Sequence, residues 1–464
     1  MVEPLWTSEE ITQAVGGRGS GASFVATGVS IDTRSLNPGD LFVALAGERD
    51  GHAYVAQAQG KGASGVLVSQ PTSGEAIQVD DTQAALERLG LAARDRAPRA
   101  RRGAVTGSVG KTSLTQAIAG ALALAGPSHA SVKSYNNHIG VPLTLARMPR
   151  ATQRAIFEVG MNHPGEISPL TRMIAPHAVA ITNVGIAHIE NFDEGERGIA
   201  RAKAEIFEGL SRGGTAVLNA DDTWFSILRD EAEDAGARIR TFGAAESADA
   251  RLLGFEVGAG AVVRARLDGR DLSFPLRQTG SHWGVMSLAA LLMLEALDVP
   301  LDDGLTALAA FEPLEGRGAS RTIRFERGEF TLVDESYNAN PVSVASALKT
   351  LGSTPAKGRR IVALTDMLEM GAEARNLHAG LAEPIEAAGV DLVFCAGPLM
   401  KSLFDALPPT RRGGYADDAA GLAVRLVQAI EPGDVVMVKG SRDSHAKALV
   451  EALSALEPPA REAR

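Results

Sequence analysis

The residues with the clearest chemical meaning form the stretch TGSVGKTS at 106–113. Gly107 and Gly110 allow backbone N–H groups to approach phosphate oxygens, and they stand before a predicted helix, whose N-terminus favours anions. Lys111 can then reach the β and γ phosphates of a nucleotide, and the Thr112 hydroxyl can ligate Mg²⁺. The spacing therefore predicts a phosphate-binding loop.

This loop departs from the commonest form of the motif at one position. The strict pattern has four residues between its first glycine and the G-K pair, and that first glycine would stand where this chain has Val105. The alternative is a glycine turn followed by a surface lysine. The short apolar strand before the loop and the helix after it favour the phosphate-binding interpretation.

Two polar residues follow other apolar strands. Glu158 ends the run AIFE, and His188 comes shortly after the predicted strand 178–182. Ligands bind at the carboxyl edge of open α/β sheets, so both side chains are candidates for that edge. A carboxylate there suits a hard cation such as Mg²⁺. The alternatives are a helix-capping or solvated acid and a histidine with a structural role.

A lysine interrupts an apolar face in the helix predicted from Glu196 to Leu210. Ile199, Lys203, Ile206 and Leu210 share one side of that helix by their spacing. A buried ammonium group must find a partner, reach solvent by snorkelling, or change its charge. The functional alternative is a lysine modified to carry negative charge, which could help to hold a cation.

The apolar stretches of the sequence predict the strands that would position these residues. Several runs are continuously apolar, which is typical of strands buried on both faces of a parallel sheet, and helical stretches separate most of them. The pattern predicts an α/β fold. The predicted strands are 40–45, 65–68, 104–106, 155–158, 178–182, 215–219, 331–334, 360–364, 392–396 and 434–439.

Composition limits the class of protein. The 464 residues suggest about three domains. With 46 basic and 56 acidic residues the net charge is −10, which argues against nucleic-acid binding through a basic surface. Cys395 is the single cysteine, so a reducing compartment fits best. No apolar run reaches the roughly 20 residues that span a bilayer, and the N-terminus has no signal-peptide pattern. A cytoplasmic protein is expected, as a monomer without membrane or nucleic-acid partners.

Two shifts in composition indicate domain boundaries. The stretch APRARR at 97–102 precedes the glycine-rich loop, and FEPLEGRGAS at 311–320 follows a long helix predicted over 285–297. The predicted domains are residues 1–98, 99–314 and 315–464. The final residues, PPAREAR, are expected to be a frayed tail.

In their order along the chain, these motifs resemble the muramyl peptide ligases, which are ATP-dependent, amide-forming enzymes of peptidoglycan synthesis. The resemblance covers nearly the whole chain. It implies three α/β domains: a UDP-binding domain, a central P-loop ATPase-like domain with a mostly parallel sheet, and a Rossmann-like C-terminal domain. The stretches that carry it are TGSVGKTS, NNHIGVPLT (136–144), EVGMNHPGEI (158–167), ITNVGIAHIENF (181–192) and RAKAEIF (201–207).

The terminal regions narrow the resemblance. DESYNANPVS (334–343), LTDMLEMG (364–371) and VKGSRD (438–443) are similar to the member that adds D-alanyl-D-alanine to UDP-N-acetylmuramoyl-tripeptide. Residues 30–52 resemble the UDP-binding domain shared by the tripeptide-forming and pentapeptide-forming ligases. The resemblance implies that ATP phosphorylates the terminal carboxylate of the UDP-tripeptide. The amine of D-alanyl-D-alanine then attacks the acyl phosphate, and phosphate leaves.

The resemblance also implies roles for individual residues. Lys111, His188 and Lys203 would be catalytic. Thr112 and Glu158 would serve one Mg²⁺, and His188 with a carbamylated Lys203 would serve a second. Domain closure would bring the C-terminal contacts to the nucleotide. The implied ATP contacts are Gly107, Ser108, Val109, Gly110, Lys111, Thr112, Ser113, Arg317 and Asp334. The implied contacts to the UDP-precursor are Thr33, Arg34, Asp50, Gly51 and His52, and those to the dipeptide are Asn338 and Asn340.

One segment departs from the family pattern. The family usually has H-N-x-x-N before the second linker, with asparagine near the adenine. This chain reads SHWGVMSLAA, so His282 is present but Trp283 and Met286 replace the asparagines. Either Trp283 stacks on the adenine or the nucleotide is held differently.

Three other functions compete with this interpretation. The ligase that adds a diamino acid typically carries D-N-P-R in its third domain, and that string does not occur here. A GTPase switch usually carries N-K-x-D, and this chain has no Asn-Lys pair. Folylpolyglutamate synthesis shares the central domain but lacks the UDP-binding segment. The third residue of the acceptor peptide, meso-diaminopimelate or lysine, stays open.

Overall fold

The described strands form three larger sheets and a two-stranded pair, each built from one stretch of the chain. The computed structural model describes residues 4–19, 23–47, 49–132, 134–258 and 260–458. The predicted frayed tail therefore lies almost wholly outside the described residues. Within them, no helix combines the length and the apolar character needed to cross a membrane.

The first sheet is parallel except at one edge. In the described part of this region the strands are β1 (Trp6–Thr7), β2 (Arg18–Gly19), β3 (Val25–Ala26), β4 (Gly28–Ser30), β5 (Asp40–Val43), β6 (Gly65–Val68) and β7 (Ala76–Gln78). The helices are α1 (Ser8–Val15), α2 (Val55–Gly60) and α3 (Thr82–Asp95), with a 3₁₀ turn at Gly51–Tyr54. The sheet order is β2-β7-β6-β5-β4, with β2 antiparallel, and β1 pairs separately with β3.

The second sheet contains the strand that leads into the phosphate loop. Its described strands are β8 (Arg101–Thr106), β9 (Ser128–Ala130), β10 (Arg154–Glu158), β11 (Ala178–Ile181), β12 (Thr215–Asn219), β13 (Arg238–Gly243), β14 (Ala250–Val257), β15 (Ala261–Leu267) and β16 (Arg270–Leu276). Their order is β16-β15-β14-β13-β12-β11-β8-β10-β9. From β9 to β14 all neighbours are parallel, whereas β14, β15 and β16 form an antiparallel meander.

Helices cover both faces of this central sheet. They are α4 (Lys111–Leu124), α5 (Gly140–Ala146), α6 (Ile167–Ile174), α7 (Glu196–Ala204), α8 (Phe225–Asp234), α9 (His282–Ala296) and α10 (Leu301–Ala310), with 3₁₀ turns at Ile189–Asn191 and Glu205–Gly209. One buried cluster packs α4 and α9 against one face, and a second packs α5, α6 and α7 against the other. The carboxyl ends of β8, β10 and β11 therefore meet at one open edge.

The third sheet has the order β17-β18-β22-β19-β20-β21. Its described strands are β17 (Ala319–Phe325), β18 (Gly328–Glu335), β19 (Arg360–Thr365), β20 (Leu392–Ala396), β21 (Arg412–Ala416) and β22 (Val435–Lys439). The helices are α11 (Pro341–Ser353), α12 (Ala374–Ala379), α13 (Ala382–Ala387), α14 (Met400–Ala406), α15 (Ala419–Ala429) and α16 (Ala446–Ser454), with 3₁₀ turns at Gly371–Glu373, Pro409–Arg411 and Arg442–Ser444. All neighbours are parallel except β17 and β18, which confirms the α/β prediction.

The helix predicted from Glu196 to Leu210 is wrong in its second half, because the α-helix ends at Ala204 and a 3₁₀ turn follows. The Glu205 carboxylate accepts hydrogen bonds from backbone N–H groups that lead into α6. The Thr171 hydroxyl donates to the Ile206 carbonyl at 2.8 Å. These contacts with α6 hold the segment in a tighter turn than the spacing of its apolar residues indicated.

Candidate active site

The predicted phosphate loop lies where strand β8 ends and helix α4 begins. Gly107 has a φ of 145° and Gly110 a φ of 86°, conformations that favour glycine. A Cβ atom at Gly110 would also lie 2.9 Å from the Met286 Cε atom. Two of the loop glycines are thus required by backbone geometry, and the strand-loop-helix context is confirmed.

The end of strand β11 holds this loop in shape. The backbone N–H groups of Ser108 and Val109 donate to the backbone and side-chain oxygens of Asn183, each at 3.0 Å. The Thr182 hydroxyl donates to the Val109 carbonyl at 2.6 Å. The Ser108 hydroxyl donates to the Gly185 carbonyl at 2.8 Å. The loop is therefore preorganised by neighbouring protein groups.

Lys111 lies inside the loop. Its Nζ donates to the Gly107 carbonyl at 2.7 Å. Burial lowers the pKa of Lys111, the Glu158 carboxylate raises it, and the Arg317 guanidinium lowers it again. Because Arg317 belongs to the linker before the third sheet, charges from two domains meet at this lysine. A phosphate group between the two cations would relieve their repulsion.

Glu158 ends strand β10 and is 1% exposed. Its Oε1 atom accepts a hydrogen bond from the Asn136 side chain at 2.7 Å, while its Oε2 atom is buried without a hydrogen-bond partner among the described residues. An unpartnered buried carboxylate oxygen is costly unless a cation or a donor satisfies it. The capping and solvated alternatives are therefore wrong for Glu158, and the oxygen fits a bound cation.

The structure tests whether protein side chains alone could hold a metal ion. Within the described ranges, no group of three or more His, Cys, Asp and Glu side chains is arranged to do so. Thr112 stands in the first turn of helix α4, which starts at Lys111. Its hydroxyl lies 3.2 Å from the Ser134 hydroxyl. Mg²⁺ commonly binds through one or two protein oxygens, nucleotide phosphates and water. Thr112 and Glu158 fit that pattern.

His188 reaches the same edge and also meets the third domain. It has a φ of 54°, and its Nδ1 atom forms an ion pair with the Oε2 atom of Glu369, whose φ is 61°. Burial lowers the pKa of His188, Glu369 raises it, and Lys111 and Lys203 lower it further. A left-handed backbone is strained in residues other than glycine. His188 and Glu369, which form the pair across the domain boundary, both have this strained conformation.

Lys203 is 3% exposed, so its side chain does not snorkel to solvent. Burial lowers its pKa well below the usual value, the Lys111 charge lowers it further, and Asp222 raises it. No residue in the described part of the chain accepts a hydrogen bond from its Nζ atom. A buried amine with a low pKa and a neighbouring cation is disfavoured as an ammonium group.

Arg317 and Asp334 lie together where the linker meets the third sheet. The Asp334 carboxylate accepts from the backbone N–H groups of Gly316 at 3.1 Å and Ser336 at 3.0 Å, and from the Ser336 hydroxyl at 2.6 Å. These bonds fix the linker turn on which Arg317 stands. The guanidinium of Arg317 stacks on the Tyr337 ring, with 4.0 Å between its Cζ atom and the ring centroid.

The predicted UDP-side residues form two local groups. His52 accepts at Nε2 from the Ser69 backbone N–H at 2.9 Å, which leaves its Nδ1 proton to donate to Asp50 at 2.6 Å. Gly51 starts the 3₁₀ turn next to them. The second group contains Thr33, which is buried and donates to Gln57 at 2.9 Å.

Arg34 belongs to the second group as well. Its guanidinium is exposed and forms an ion pair with Asp32 at 2.6 Å. Of the five predicted residues, Arg34 thus presents the most accessible charge. Whether these groups contact the UDP-precursor stays a prediction.

The two asparagines predicted for the dipeptide differ in their surroundings. Asn338 is exposed, and its backbone carbonyl accepts from Lys439 at 3.0 Å. Asn340 is buried and caps helix α11, since its side-chain oxygen accepts from the Ser343 backbone N–H at 2.8 Å. The sequence interpretation missed this capping role. Asn338 is the more accessible candidate, and both dipeptide contacts stay predictions.

Stacking of Trp283 on an adenine is contradicted by the structure. Trp283 is 4% exposed and packs against Phe311, with ring centroids 5.3 Å apart. It belongs to the apolar cluster between α9 and the central sheet. Met286, at the other substituted position, lies behind Gly110 of the loop. Of the two alternatives, the burial of Trp283 favours a nucleotide that is held differently.

Sequence reasoning missed several residues of the site. Asn136, Asn183 and Tyr337 stand inside motifs that carried the resemblance, but no role was assigned to them. Glu369 stands in the LTDMLEMG stretch, and its spacing gives no sign of its contact with His188. Ser134 lies outside the quoted motifs, and no sequence signal points to it.

Comparison with known proteins agrees with this geometry. Residues 105–294 match the Mur ligase middle domain, and residues 321–442 match the Mur ligase glutamate ligase domain. The chain therefore belongs to the Mur ligase family, a class of ATP-dependent ligases.

Within that family, the chain is 34% identical to the UDP-N-acetylmuramoyl-tripeptide--D-alanyl-D-alanine ligase of Escherichia coli (strain K12), covering 96% of this chain and 98% of the relative. It is similar to a crystal structure of MurF from Acinetobacter baumannii, with a TM-score of 0.84, 27% identity and coverage of 98% of this chain and 99% of that one. A MurF ligase from Thermotoga maritima in complex with ADP has the same fold, with a TM-score of 0.77, 23% identity and coverage of 92% and 97%.

Proposed function

We propose that this chain joins D-alanyl-D-alanine to UDP-N-acetylmuramoyl-tripeptide in an ATP-dependent step of peptidoglycan precursor synthesis. The observation that carries the proposal is the convergence of Lys111, Glu158, His188 and Lys203 at one sheet edge, faced by Arg317 from the third domain. The 34% identity to the Escherichia coli ligase over 96% of the chain supports the substrate pair.

The first step transfers the γ-phosphoryl group of ATP to the terminal carboxylate of the UDP-tripeptide, which gives an acyl phosphate and ADP. Two anions must approach each other, so the site has to offset their charge. Lys111 is our candidate for the γ phosphate, and Arg317 approaches it from the third domain. The backbone N–H groups of residues 110–113 are our candidates for the remaining phosphate oxygens, because those of Ser108 and Val109 donate to Asn183.

In the second step the free amine of D-alanyl-D-alanine attacks the acyl carbon. The tetrahedral intermediate expels inorganic phosphate, the new C–N bond becomes an amide, and the amine proton is released. Exposed Asn338 beside Lys439 is our candidate contact for the dipeptide, with Asn340 nearby. Thr33, Arg34, Asp50, Gly51 and His52 are candidates for the UDP end of the acceptor.

Mg²⁺ bound here would supply positive charge to the phosphoryl groups that react. Thr112 and Glu158 would hold one ion, because the Glu158 Oε2 atom has no hydrogen-bond donor among the residues that the structure describes. His188 and Lys203 are our candidates for a second ion. Asp334 supports the site from the third domain by fixing the turn that carries Arg317.

We further propose that Lys203 carries a carbamate. Its amine is buried beside Lys111, and its lowered pKa favours the neutral form, which is nucleophilic enough to take up CO₂. The amine nitrogen bonds to the carbon of CO₂ and loses one proton, which leaves an anion with two oxygens. That anion would offset the neighbouring Lys111 charge and could bind a metal ion.

A change at this lysine tests the carbamate. Lys203→Ala is expected to lose most activity, and added acetate is expected to restore part of it by occupying the vacated position. Methylamine is the matched control, since it restores a cation and not an anion. A ¹³C carbamate signal from protein in labelled bicarbonate should accompany the activity, and its absence would contradict the modification.

Three further assignments belong to this proposal. The domains are residues 1–98, 99–314 and 315–464, because the described sheets each lie within one of these segments. The single cysteine is buried and free, which agrees with a reducing, cytoplasmic compartment. A monomer is our expectation for the oligomeric state.

The function is tested by incubating the protein with ATP, D-alanyl-D-alanine and each UDP-tripeptide, followed by mass spectrometry. We expect one D-alanyl-D-alanine unit joined per ADP released, with the preferred tripeptide identifying the third residue. The control pairs meso-diaminopimelate with the UDP-dipeptide. Joining of the diamino acid would assign the chain to a different step of the same synthesis, and ATP hydrolysis without ligation would contradict a ligase.

A further inference from the structure

A hydroxyl group at the edge of the site joins the phosphate loop to the third domain. The Ser134 Oγ atom lies 2.7 Å from the Tyr337 Oη atom, 3.2 Å from the Arg317 Nη2 atom and 3.2 Å from the Thr112 Oγ1 atom. These partners come from the start of helix α4, from the linker and from the segment after strand β18. We call Thr112, Ser134, Arg317 and Tyr337 the hydroxyl clasp.

The hydrogen bonds of the clasp are donated in one direction, from the third domain towards the phosphate loop. Arg317 has only donors, and the Tyr337 hydroxyl donates to Ser134, so both lone pairs of the Ser134 oxygen are used. The Ser134 proton is then free to be donated to Thr112. The chain of hydrogen bonds runs from the third domain through Ser134 to the loop, and each bond polarises the next.

The Tyr337 side chain also supports Arg317 directly. The guanidinium lies over the Tyr337 ring, and the Tyr337 backbone N–H donates to the Gly316 carbonyl at 3.1 Å. Gly316 has a φ of 72°, and a Cβ atom there would lie 3.0 Å from the Tyr337 Cβ atom. The linker thus passes closely over Tyr337, so the tyrosine and the arginine move as one unit.

The unit of Arg317 and Tyr337 is held close to Lys111, whose positive charge repels Arg317. The Arg317 guanidinium lowers the pKa of Lys111, so the two cations are close enough to interact. Their repulsion favours an open cleft when no phosphate separates them. The hydrogen bonds to Ser134 oppose that repulsion, and a bound nucleotide removes it.

We propose that Ser134 and Tyr337 are positioning residues, and that their hydroxyl–hydroxyl bond aligns Arg317 with the phosphate loop when the third domain closes on a nucleotide. This inference rests on the proposed function and adds to it two residues that hold Arg317 against the phosphate loop. Both residues act through Arg317 and Thr112. Loss of either hydroxyl therefore slows turnover while nucleotide binding to the central domain persists.

Tyr337→Phe tests the clasp cleanly, because phenylalanine keeps the ring under Arg317 and removes only the hydroxyl. We expect kcat to fall roughly fivefold to tenfold, the size of one hydrogen bond between neutral groups, with the KM for ATP within about twofold of the wild type. Ser134→Ala should lose at least as much, because it also removes the bonds to Arg317 and Thr112, and Ser134→Thr should restore the rate. The double variant should be no slower than Ser134→Ala, because that change already breaks the bond to Tyr337.

Tyr415→Phe is the matched control, since the Tyr415 hydroxyl donates within the third domain to the Gly397 carbonyl at 3.3 Å and has no hydrogen bond to the central domain among the described residues. We expect it to leave kcat unchanged. An unchanged kcat in Tyr337→Phe, or losses in the double variant that multiply, would overturn the proposal.

Amide hydrogen exchange separates this inference from the proposed function, because it needs only nucleotide. A non-hydrolysable ATP analogue with Mg²⁺ should increase protection of residues 314–337 in the wild type and much less in Tyr337→Phe, at equal nucleotide affinity by calorimetry. Equal protection in both proteins would contradict the clasp. A wild type that shows the protection but joins no dipeptide would contradict the substrate assignment and leave the clasp supported.

Discussion

The central domain has two neighbours, and its contacts with them differ in how much apolar surface they bury. Towards the N-terminal domain a shared apolar cluster spans the boundary: Leu143 and Ala146 of helix α5 are fully buried in the same cluster as Leu86 and Leu89 of helix α3. Polar contacts, such as the ion pair of Arg150 with Glu10, lie beside this cluster. The Trp6 indole N–H donates to the Ala146 carbonyl at 2.8 Å. This contact resembles the interior of one domain.

Towards the C-terminal domain, polar pairs lie beside an apolar contact of Ile186 with the core of the third domain. Tyr337 donates to Ser134, Glu369 pairs with His188, and Ser346 lies 3.3 Å from the His282 ring. Hydrogen bonds of this kind exchange with water at little net cost, whereas separating an apolar contact exposes surface at about 25 cal/mol per Å². From this difference we expect the N-terminal domain to stay fixed to the central domain and the C-terminal domain to open and close.

The largest expected effect lies at the polar interface. Lys111→Ala should lower the ligation rate by about a thousandfold or more, because it removes a charge directed at the transferring phosphoryl group. The melting temperature should change little, since the lysine makes one hydrogen bond to the Gly107 carbonyl and adds no apolar packing. Ligation assays and calorimetry together check this, and near-normal turnover would remove the loop from the mechanism.

The next prediction concerns the contact with the N-terminal domain, where a substitution should lower stability. Trp6→Ala should lower the free energy of unfolding by about 3–5 kcal/mol, because it leaves a cavity and an unpaired Ala146 carbonyl and removes the ring under the Arg96 guanidinium, 3.6 Å away. Urea denaturation measures the loss. A change below about 1 kcal/mol would show that the N-terminal contact is not the fixed one.

Acid should weaken the central domain at helix α5, the helix that packs against the N-terminal domain. Burial lowers the pKa of His129 to about 4, and its neutral ring hydrogen-bonds to the Thr144 carbonyl of helix α5 at 2.7 Å. The unfolded chain, with an ordinary histidine pKa near 6.5, takes up the proton first. Stability is therefore complete above about pH 6.5 and falls by up to about 3 kcal/mol as the pH drops to about 4.

Urea titrations between pH 4 and 7 measure that slope. His129→Gln, which keeps a donor for the Thr144 carbonyl without a titrating ring, should flatten the part due to His129. An equal slope in the variant would assign the acid sensitivity elsewhere, His177 being the next candidate because burial also lowers its pKa to about 4.

The smallest effect is expected for Glu369→Gln at the polar interface. The pair with His188 is partly exposed, so the free energy of unfolding should change by less than about 1 kcal/mol. Since Glu369 raises the pKa of His188, that pKa should fall in the variant. An NMR titration of the His188 ring checks this, and an unchanged titration would show that the pair does not form in solution.

The sequence predicted those parts of the site that stand inside short motifs at strand ends. The loop at 106–113, Glu158 after β10 and His188 after β11 follow this rule, because parallel strands bring their carboxyl ends to one edge. Strands 65–68, 215–219 and 392–396 have the predicted bounds. Continuous apolar runs between turns identify such buried strands well.

The features that the sequence did not show depend on contacts between residues that are far apart in the chain. Ser134 and Tyr337 are 203 positions apart, and no periodicity connects them. The end of α7 at Ala204 depends on Glu205 reaching helix α6. The antiparallel strands β14, β15 and β16 were not among the predicted strands, although Ala261–Leu267 alternates buried and exposed residues. In each case tertiary contacts decide the local conformation.

The place of helix α5 has a consequence for synthesis on the ribosome. This helix completes the apolar core of the N-terminal domain, yet it lies beyond the phosphate loop in the chain. A nascent N-terminal domain therefore keeps an uncovered apolar face until residue 146 has left the exit tunnel. Residues 1–98 therefore cannot complete their apolar core by themselves, and chaperones that bind apolar segments would meet them during that interval.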